Sequence, residues 1–281
     1  MAKIIGIGLN VVDKYESLGI MYPGGNEMNV AVYARWIGAD AAFIGVFGND
    51  RAAIHNTNVL KEVGVDLSRC RYVEGENGYA TVQLVNGDRV FLSTNNGGVT
   101  GLNPIVLNNE DLQYIKNFDV VSASINARLF LPEIKKLSGS SIPVSYDFSD
   151  LYNEEIIRET APHATFSFLS CGNMSLEKAS ELLKKVYRLG SRYVIGTMGP
   201  RGSLLYFGKE VRQDPIDVEI VDTMGAGDSF IAAFLNAFYS YKEKGVEPGE
   251  KELQNCMLEA TKYATKICTI QGAIGYETSI W

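Results

Sequence analysis

Short apolar runs alternate along this chain with stretches whose apolar positions recur every three or four residues. Runs 3–8, 41–47, 119–123, 143–147, 164–169 and 193–197 are brief and rich in β-formers, which predicts strands. Between them, 26–37, 51–63, 128–137 and 175–189 carry helical spacing. Alternation of this kind predicts an α/β fold of three layers, a mainly parallel central sheet with helices on both faces. Ligands of such sheets sit at the carboxyl ends of the strands, where loops enter helices.

One section breaks the rhythm. Residues 81–85 and 88–92 alternate apolar and polar positions around Asn86-Gly87, which predicts a hairpin with a type I′ turn. Its apolar face needs a cover, and three arrangements supply one: a lid over a cleft, a second subunit, or the edge of the main sheet. Near the C-terminus, 261–272 predicts a helix running into a turn at Gly272-Ala273.

The richest chemistry lies at Val221-Asp222-Thr223-Met224-Gly225-Ala226-Gly227-Asp228-Ser229-Phe230, after which Phe230, Phe234 and Phe238 recur at helical spacing. Small residues at a helix start let a ligand reach the unpaired amides of the first turn. Those amides, with the positive end of the helix dipole, suit a phosphate. Asp228 would repel that anion, and makes sense if it faces a second substrate whose hydroxyl must lose a proton. The dipole is expected to make Asp228 a better anion and a weaker base. The plainer reading is a capping pattern followed by a tight turn.

Two other loops follow the same logic. Asn10 and Asp13 emerge beyond the first strand, where they can bind hydroxyls or cap a turn. Gly24 and Gly25 precede a helix with Asn29 one turn in, which allows close backbone contact by a flat polar ligand. In the second half, Gly196-Thr197-Met198-Gly199-Pro200-Arg201-Gly202 joins 193–197 to a strand at 203–207, as a ligand loop or a hairpin turn.

Composition narrows the classes. The chain has 281 residues, a net charge of −7 and no basic block, so nucleic acid and anionic membranes are disfavoured as partners. No uncharged run reaches the ~20 residues of a membrane helix, and the opening residues read as a first strand. Cys70, Cys171, Cys256 and Cys268 are far apart, which fits a reducing cytoplasm and argues against structural zinc. His55 and His163 lack the partners of a triad or metal cluster. Gly6-Ile7-Gly8 lacks the third glycine of a dinucleotide fingerprint.

Taken whole, Asp-Thr-Met-Gly-Ala-Gly-Asp-Ser-Phe resembles the C-terminal signature of the ribokinase-like (PfkB) family of carbohydrate kinases. Asn10–Asp13, Gly24–Tyr33, Asp88–Phe91 and Asp147–Asp150 extend the likeness, and they are most similar to the branch of the family acting on fructoselysine. The resemblance implies ATP-dependent phosphorylation of a primary hydroxyl on a sugar or sugar derivative, with Asp228 as catalytic base and Gly225, Ala226 and Gly227 as the anion hole. It implies that Asn10, Asp13 and Asn29 bind the sugar over a floor of Gly24 and Gly25, and that Thr197, Gly199, Gly202 and Thr261 border the nucleotide.

It further implies magnesium with the nucleotide, a monovalent cation such as potassium at Asp222, and one α/β domain over 1–281. That domain would carry a small β-sheet lid, built from about 13–24 and 71–97, through which two copies pair. The sequence departs from the family after 164–169: where many members carry Asn-x-x-Glu, it has Ser170-Cys171-Gly172-Asn173, without the carboxylate. A kinase acting on fructose, ribose, a sugar acid or a nucleoside, and a silent sugar-binding regulator, stand as alternatives.

Overall fold

The computed structural model describes residues 1–85 and 88–281; the expected turn at Asn86-Gly87 and the side chain of Arg89 lie outside the described residues. In chain order the strands are β1 Lys3–Ile7, β2 Val11–Tyr15, β3 Ile20–Gly24, β4 Asp40–Ile44, β5 Val46–Phe47, β6 Arg71–Tyr72, β7 Gly78–Val85, β8 Asp88–Thr94, β9 Val120–Ser124, β10 Val144–Asp147, β11 Phe166–Ser170, β12 Tyr193–Thr197, β13 Ser203–Tyr206, β14 Glu210–Gln213 and β15 Thr278–Ser279. The α-helices are α1 Asn26–Trp36, α2 Arg51–Val63, α3 Gly98–Leu102, α4 Asn109–Ile115, α5 Leu131–Gly139, α6 Glu154–Thr160, α7 Leu176–Arg188, α8 Ala226–Glu243 and α9 Glu250–Ile267.

Eight strands form the central sheet, in the order β14-β13-β12-β11-β10-β9-β1-β4. Its pairs are parallel from β4 to β12, and only β12-β13 and β13-β14 are antiparallel. Such strands are buried on both faces, which is why they read as apolar runs. One face packs on α1, α8 and α9 through Phe166, Phe168, Phe230, Phe234 and Phe238. The other buries Ile134, Ile157, Leu183 and Val186 from α5, α6 and α7. The helical spacing of the three phenylalanines of α8 is therefore a core stripe, with Phe166 and Phe238 edge-on at 4.9 Å.

A second sheet, β15-β3-β2-β7-β8, stands apart from the first. It takes in strands within 11–24, 78–85 and 88–94, close to the expected segments, but it also recruits Thr278–Ser279, which pair with Met21 and Ile20. Arg71 and Tyr72 do not join it; they pair with Val46 and Phe47 in a separate two-stranded sheet.

Three boundaries differ from expectation. The helix expected at 128–137 runs Leu131–Gly139 instead, because Arg128 is left-handed at φ 55° and Pro132 supplies the first turn. The run 41–47 breaks at Gly45, where the space for a Cβ is already filled by the Phe43 ring. The last helix ends at Ile267 rather than 272, since the amide of Gly272 donates to Asp222 and not to a helical carbonyl.

Candidate active site

Gly225 sits at the N-cap of α8 in a left-handed conformation (φ 77°) that residues with a Cβ rarely adopt. A Cβ there would lie 2.2 Å from the hydroxyl of Tyr33, a fully buried ring of α1. The turn before it is pinned by Asp222, whose Oδ1 accepts from the Met224 amide (2.9 Å) and whose Oδ2 accepts from the Gly272 amide (2.7 Å). The amides of Val221 and Asp222 both donate to the Cys268 carbonyl, so the loop is stitched to the end of α9.

This loop presents N–H groups, but not the three expected. Ala226 N–H already donates to Thr223 O at 3.2 Å, so it is the weakest of the anion-binding candidates. Gly225, Gly227 and Asp228 N–H meet no acceptor among the described residues, as expected of a helix's first turn.

Asp228 is buried in that first turn, with 6% of its surface exposed, and both carboxylate oxygens are held. Asn26 Nδ2 donates to Oδ1 at 2.9 Å and Asn29 Nδ2 donates to Oδ2 at 2.8 Å. The orientation of Asn29 is thereby fixed, and its own Oδ1 is buried without a donor among the described residues. Behind Asn26, Asn126 Nδ2 donates to Asn26 Oδ1 at 3.3 Å. Burial raises the Asp228 carboxyl above its ordinary range, against the hydrogen bonds from Asn29 and Asn26. The expected weakening by the helix dipole is thus reversed. Desolvation wins here, and it makes the carboxylate a stronger base.

The residues expected on the sugar side lie together at the start of α1, where the Asn29 backbone amide donates to Gly25 O. Gly25 caps α1 at φ 111°, and a Cβ on it would meet the Leu9 carbonyl at 2.4 Å. Asp13 lies on β2, buried over Gly24, where a Cβ would come within 2.8 Å of its Oδ2. Asn10 is fully buried, with Nδ2 donating to Val46 O at 2.8 Å and Oδ1 meeting no donor among the described residues.

Two further acids stand nearby, Asp147, which opens one of the matching blocks, and Glu27, which sequence reasoning missed. Glu27, in the first turn of α1, is 1% exposed, accepts from the Leu9 amide at 3.2 Å and fills the space a Cβ on Gly8 would need. Burial, with smaller additions from the charges of Asp228 and Asp147, pushes its carboxyl up to about 8. Asp147, half-buried at the end of β10, is pushed up to about 7 chiefly by desolvation. Glycines at 6 and 8 beside a strand end are the sequence signal for Glu27, because two bare positions make room for one large side chain.

A raised acid holds its proton in the folded state and releases it when unfolded. Stability from Glu27 is therefore lost as pH climbs from the ordinary carboxylate range toward 8. We expect thermal stability to fall between pH 5 and 8.5, and Glu27→Gln to flatten the fall by on the order of 3 kcal/mol at the alkaline end. Thermal unfolding of both proteins across that range checks this; parallel curves would refute it.

On the far side of the loop lies a cleft of about 330 Å³. All four expected nucleotide residues, Thr197, Gly199, Gly202 and Thr261, line it. Ala226 and Gly227 of the start of α8 also line it, with apolar Ile216, Val218 and Ala264. The β12-β13 turn is thus both hairpin and cleft wall. Among the described residues no group of three His, Cys, Asp or Glu can hold a metal ion, and Ser170–Asn173 adds no carboxylate. No helix of the described residues is long and apolar enough to cross a membrane.

A nucleotide-sized cleft and an asparagine-lined acid meet across one helix N-terminus, and the chain belongs to the pfkB family of carbohydrate kinases, whose model matches residues 10–142 and 151–279. It is an ATP-dependent sugar kinase of ribokinase-like fold. Among its relatives, fructosamine kinase FrlD of Bacillus subtilis is 37% identical over 278 residues, covering 98% of this chain and 93% of the relative. Fructoselysine 6-kinase of Escherichia coli is 33% identical over 238 residues, covering 84% and 88%. The fold matches that of Arabidopsis thaliana ribokinase solved with ribose and ATP, with a TM-score of 0.78, 21% identity and coverage of 99% and 96%.

Proposed function

We propose that this kinase moves the terminal phosphoryl group of ATP onto the primary 6-hydroxyl of a fructoselysine-like ketose amine. The observation that carries the chemistry is Asp228, gripped by Asn26 and Asn29 on the sugar side while the Gly225 and Gly227 amides stand beside it. The acceptor is inferred from the relatives, two of which are kinases of fructosamine and fructoselysine.

In this reading, Asp13, the Asn29 oxygen and the Asn10 oxygen bind sugar hydroxyls over Gly24 and Gly25. Asp228 then takes the proton from the attacking hydroxyl. The loop amides hold the transferring group, whose loose transition state depends on positioning and charge stabilisation. Thr197, Gly199, Gly202 and Thr261 border the nucleotide. Magnesium bound to the phosphates would offset their charge. Asp222, with both oxygens accepting from amides, orders the anion hole by itself; a potassium ion beside it would add to that order.

The second sheet serves as a lid on the single α/β domain, and its outer face is where two copies would pair. Four free cysteines fit a reducing cytoplasm.

A coupled ADP-release assay on a sugar panel tests the reading: turnover should be fastest on fructoselysine. Preference for fructose, ribose or a nucleoside would move the acceptor elsewhere, and no ADP release with any sugar would leave a binding protein. Asp13→Ala should raise the acceptor KM about 10-fold or more while sparing kcat and the ATP KM, since unpairing a buried polar site costs about 1 to 3 kcal/mol. An unchanged acceptor KM would remove Asp13 from the site.

A further inference from the structure

A third cavity, of about 480 Å³, is lined by Glu74, Glu76, Asn95, Asn96, Asn103 and Arg128. Its floor reaches the backbone of Asn10, one of the proposed sugar residues. Gly98 bridges to Asn77, whose Nδ2 donates to Asn10 O at 3.3 Å, and the space for a Cβ on Gly97 is taken by Leu9. Asn126, which reaches Asn26 beside the base, is two residues from Arg128, a span of at most about 7 Å along the chain.

The cavity carries both signs of charge without letting them cancel. Arg128 donates from Nη2 to Asn96 O at 3.3 Å, and no carboxylate of a described residue lies within ion-pair distance of it. Glu74 meets no cation among the described residues; Glu76 accepts from Asn95 Nδ2 at 3.2 Å and has Lys14 at 3.8 Å, which also sits over the Tyr79 ring. Arg128 and Asn96 are both left-handed, each with φ 55°, on this rim. Asparagine adopts that backbone readily, but an arginine rarely does, and strain at such a residue, beside the unpaired charges of Arg128 and Glu74, collects where a ligand is met.

We propose that this cavity receives the zwitterionic amino-acid end of the acceptor, with Arg128 meeting its carboxylate and Glu74 and Glu76 meeting its ammonium. The proposal rests on the acceptor being a glycated amino acid. In fructoselysine the sugar is joined through the side-chain nitrogen, so the α-ammonium and α-carboxylate are free and distant from the 6-hydroxyl. A guanidinium fork suits a carboxylate.

The test compares fructoselysine, its Nα-acetyl derivative and N-butyl fructosamine, which lacks both charged groups, on the wild-type enzyme and on Arg128→Asn. Asn tolerates the left-handed backbone at 128, so the variant isolates the lost charge. Wild type should show a KM about tenfold lower for fructoselysine than for the butyl compound. Arg128→Asn should erase that advantage while kcat, the ATP KM and the butyl KM hold. Equal KM changes on both compounds, or none, would overturn the proposal.

Glu74→Gln with Glu76→Gln gives a second arm, decisive even if the Arg128 variant loses its thermal transition. It should raise the KM for fructoselysine and leave the Nα-acetyl compound unaffected; equal effects would again overturn the proposal. The two levels of inference fail differently. If wild type phosphorylates ketose amines with no preference for the charged tail, the cavity assignment alone falls. If it phosphorylates none of them, the acceptor reading falls and takes the cavity assignment with it.

Discussion

Replacing Asp228 by Asn is expected to leave the protein folded and to lower turnover by about 100-fold or more, the scale of general acid–base catalysis. The substitution does two things. It removes the only group at the helix start that can accept a proton, and it presents an amide to Asn26 and Asn29, which now donate to the two carboxylate oxygens. One of those donors must then face an NH₂ group, so local geometry suffers as well. KM for the acceptor should change less than kcat, because the lost interaction matures as the hydroxyl loses its proton. A variant with near-normal kcat and an unchanged melting temperature would show that another group carries the proton. The raised Asp228 carboxyl adds a pH signature. Activity of the wild type should rise with pH as Asp228 ionises, and that limb should vanish in the residual rate of the variant.

Gly225→Ala should do the opposite and strike the fold and the activity together. The methyl group would have to enter a left-handed backbone at about 1 to 2 kcal/mol. It would also displace the Tyr33 hydroxyl from a site 2.2 Å away, with Ala273 at 3.1 Å on the same side. Overpacking of a buried contact adds about 1 to 3 kcal/mol. A fall in melting temperature on the order of 10 °C is expected for a chain of this size. The loop amides would be displaced with Gly225, so turnover should fall even well below the new transition. Gly227→Ala is the control. It is helical and meets nothing within 4 Å, so stability should hold or rise slightly. Its methyl would project where Gly227 lines the cleft, so the ATP KM should rise. If Gly225→Ala melts like the wild type, the tight loop geometry is not required; if Gly227→Ala leaves the ATP KM unchanged, the nucleotide does not approach there.

Much of this architecture was legible before any coordinates. Each of the six apolar runs supplies a strand of the central sheet, with 46–47 split off into a separate pair, because parallel strands covered on both faces must be apolar throughout. The four expected nucleotide residues line one cleft; Thr197, Gly199 and Gly202 come with the β12-β13 turn, a local feature, and Thr261 is brought there by α9. The hairpin was legible from alternation. Its partners were not: β15 pairs with β3 across more than 250 residues, and two residues at the chain end carry no periodicity to read.

Sequence by itself determined the order of elements, the glycine loops and the identity of the acid at the start of α8, because each is written in neighbouring residues. Tertiary structure alone decided how that acid behaves. Asn26 and Asn29 lie about two hundred positions from Asp228, and only the packing of α1 against α8 brings their amides to its oxygens. The protonation of Glu27 and the rise of Asp228 come from the removal of water around them. Desolvation belongs to no residue or motif; it exists only once the chain has closed over the site.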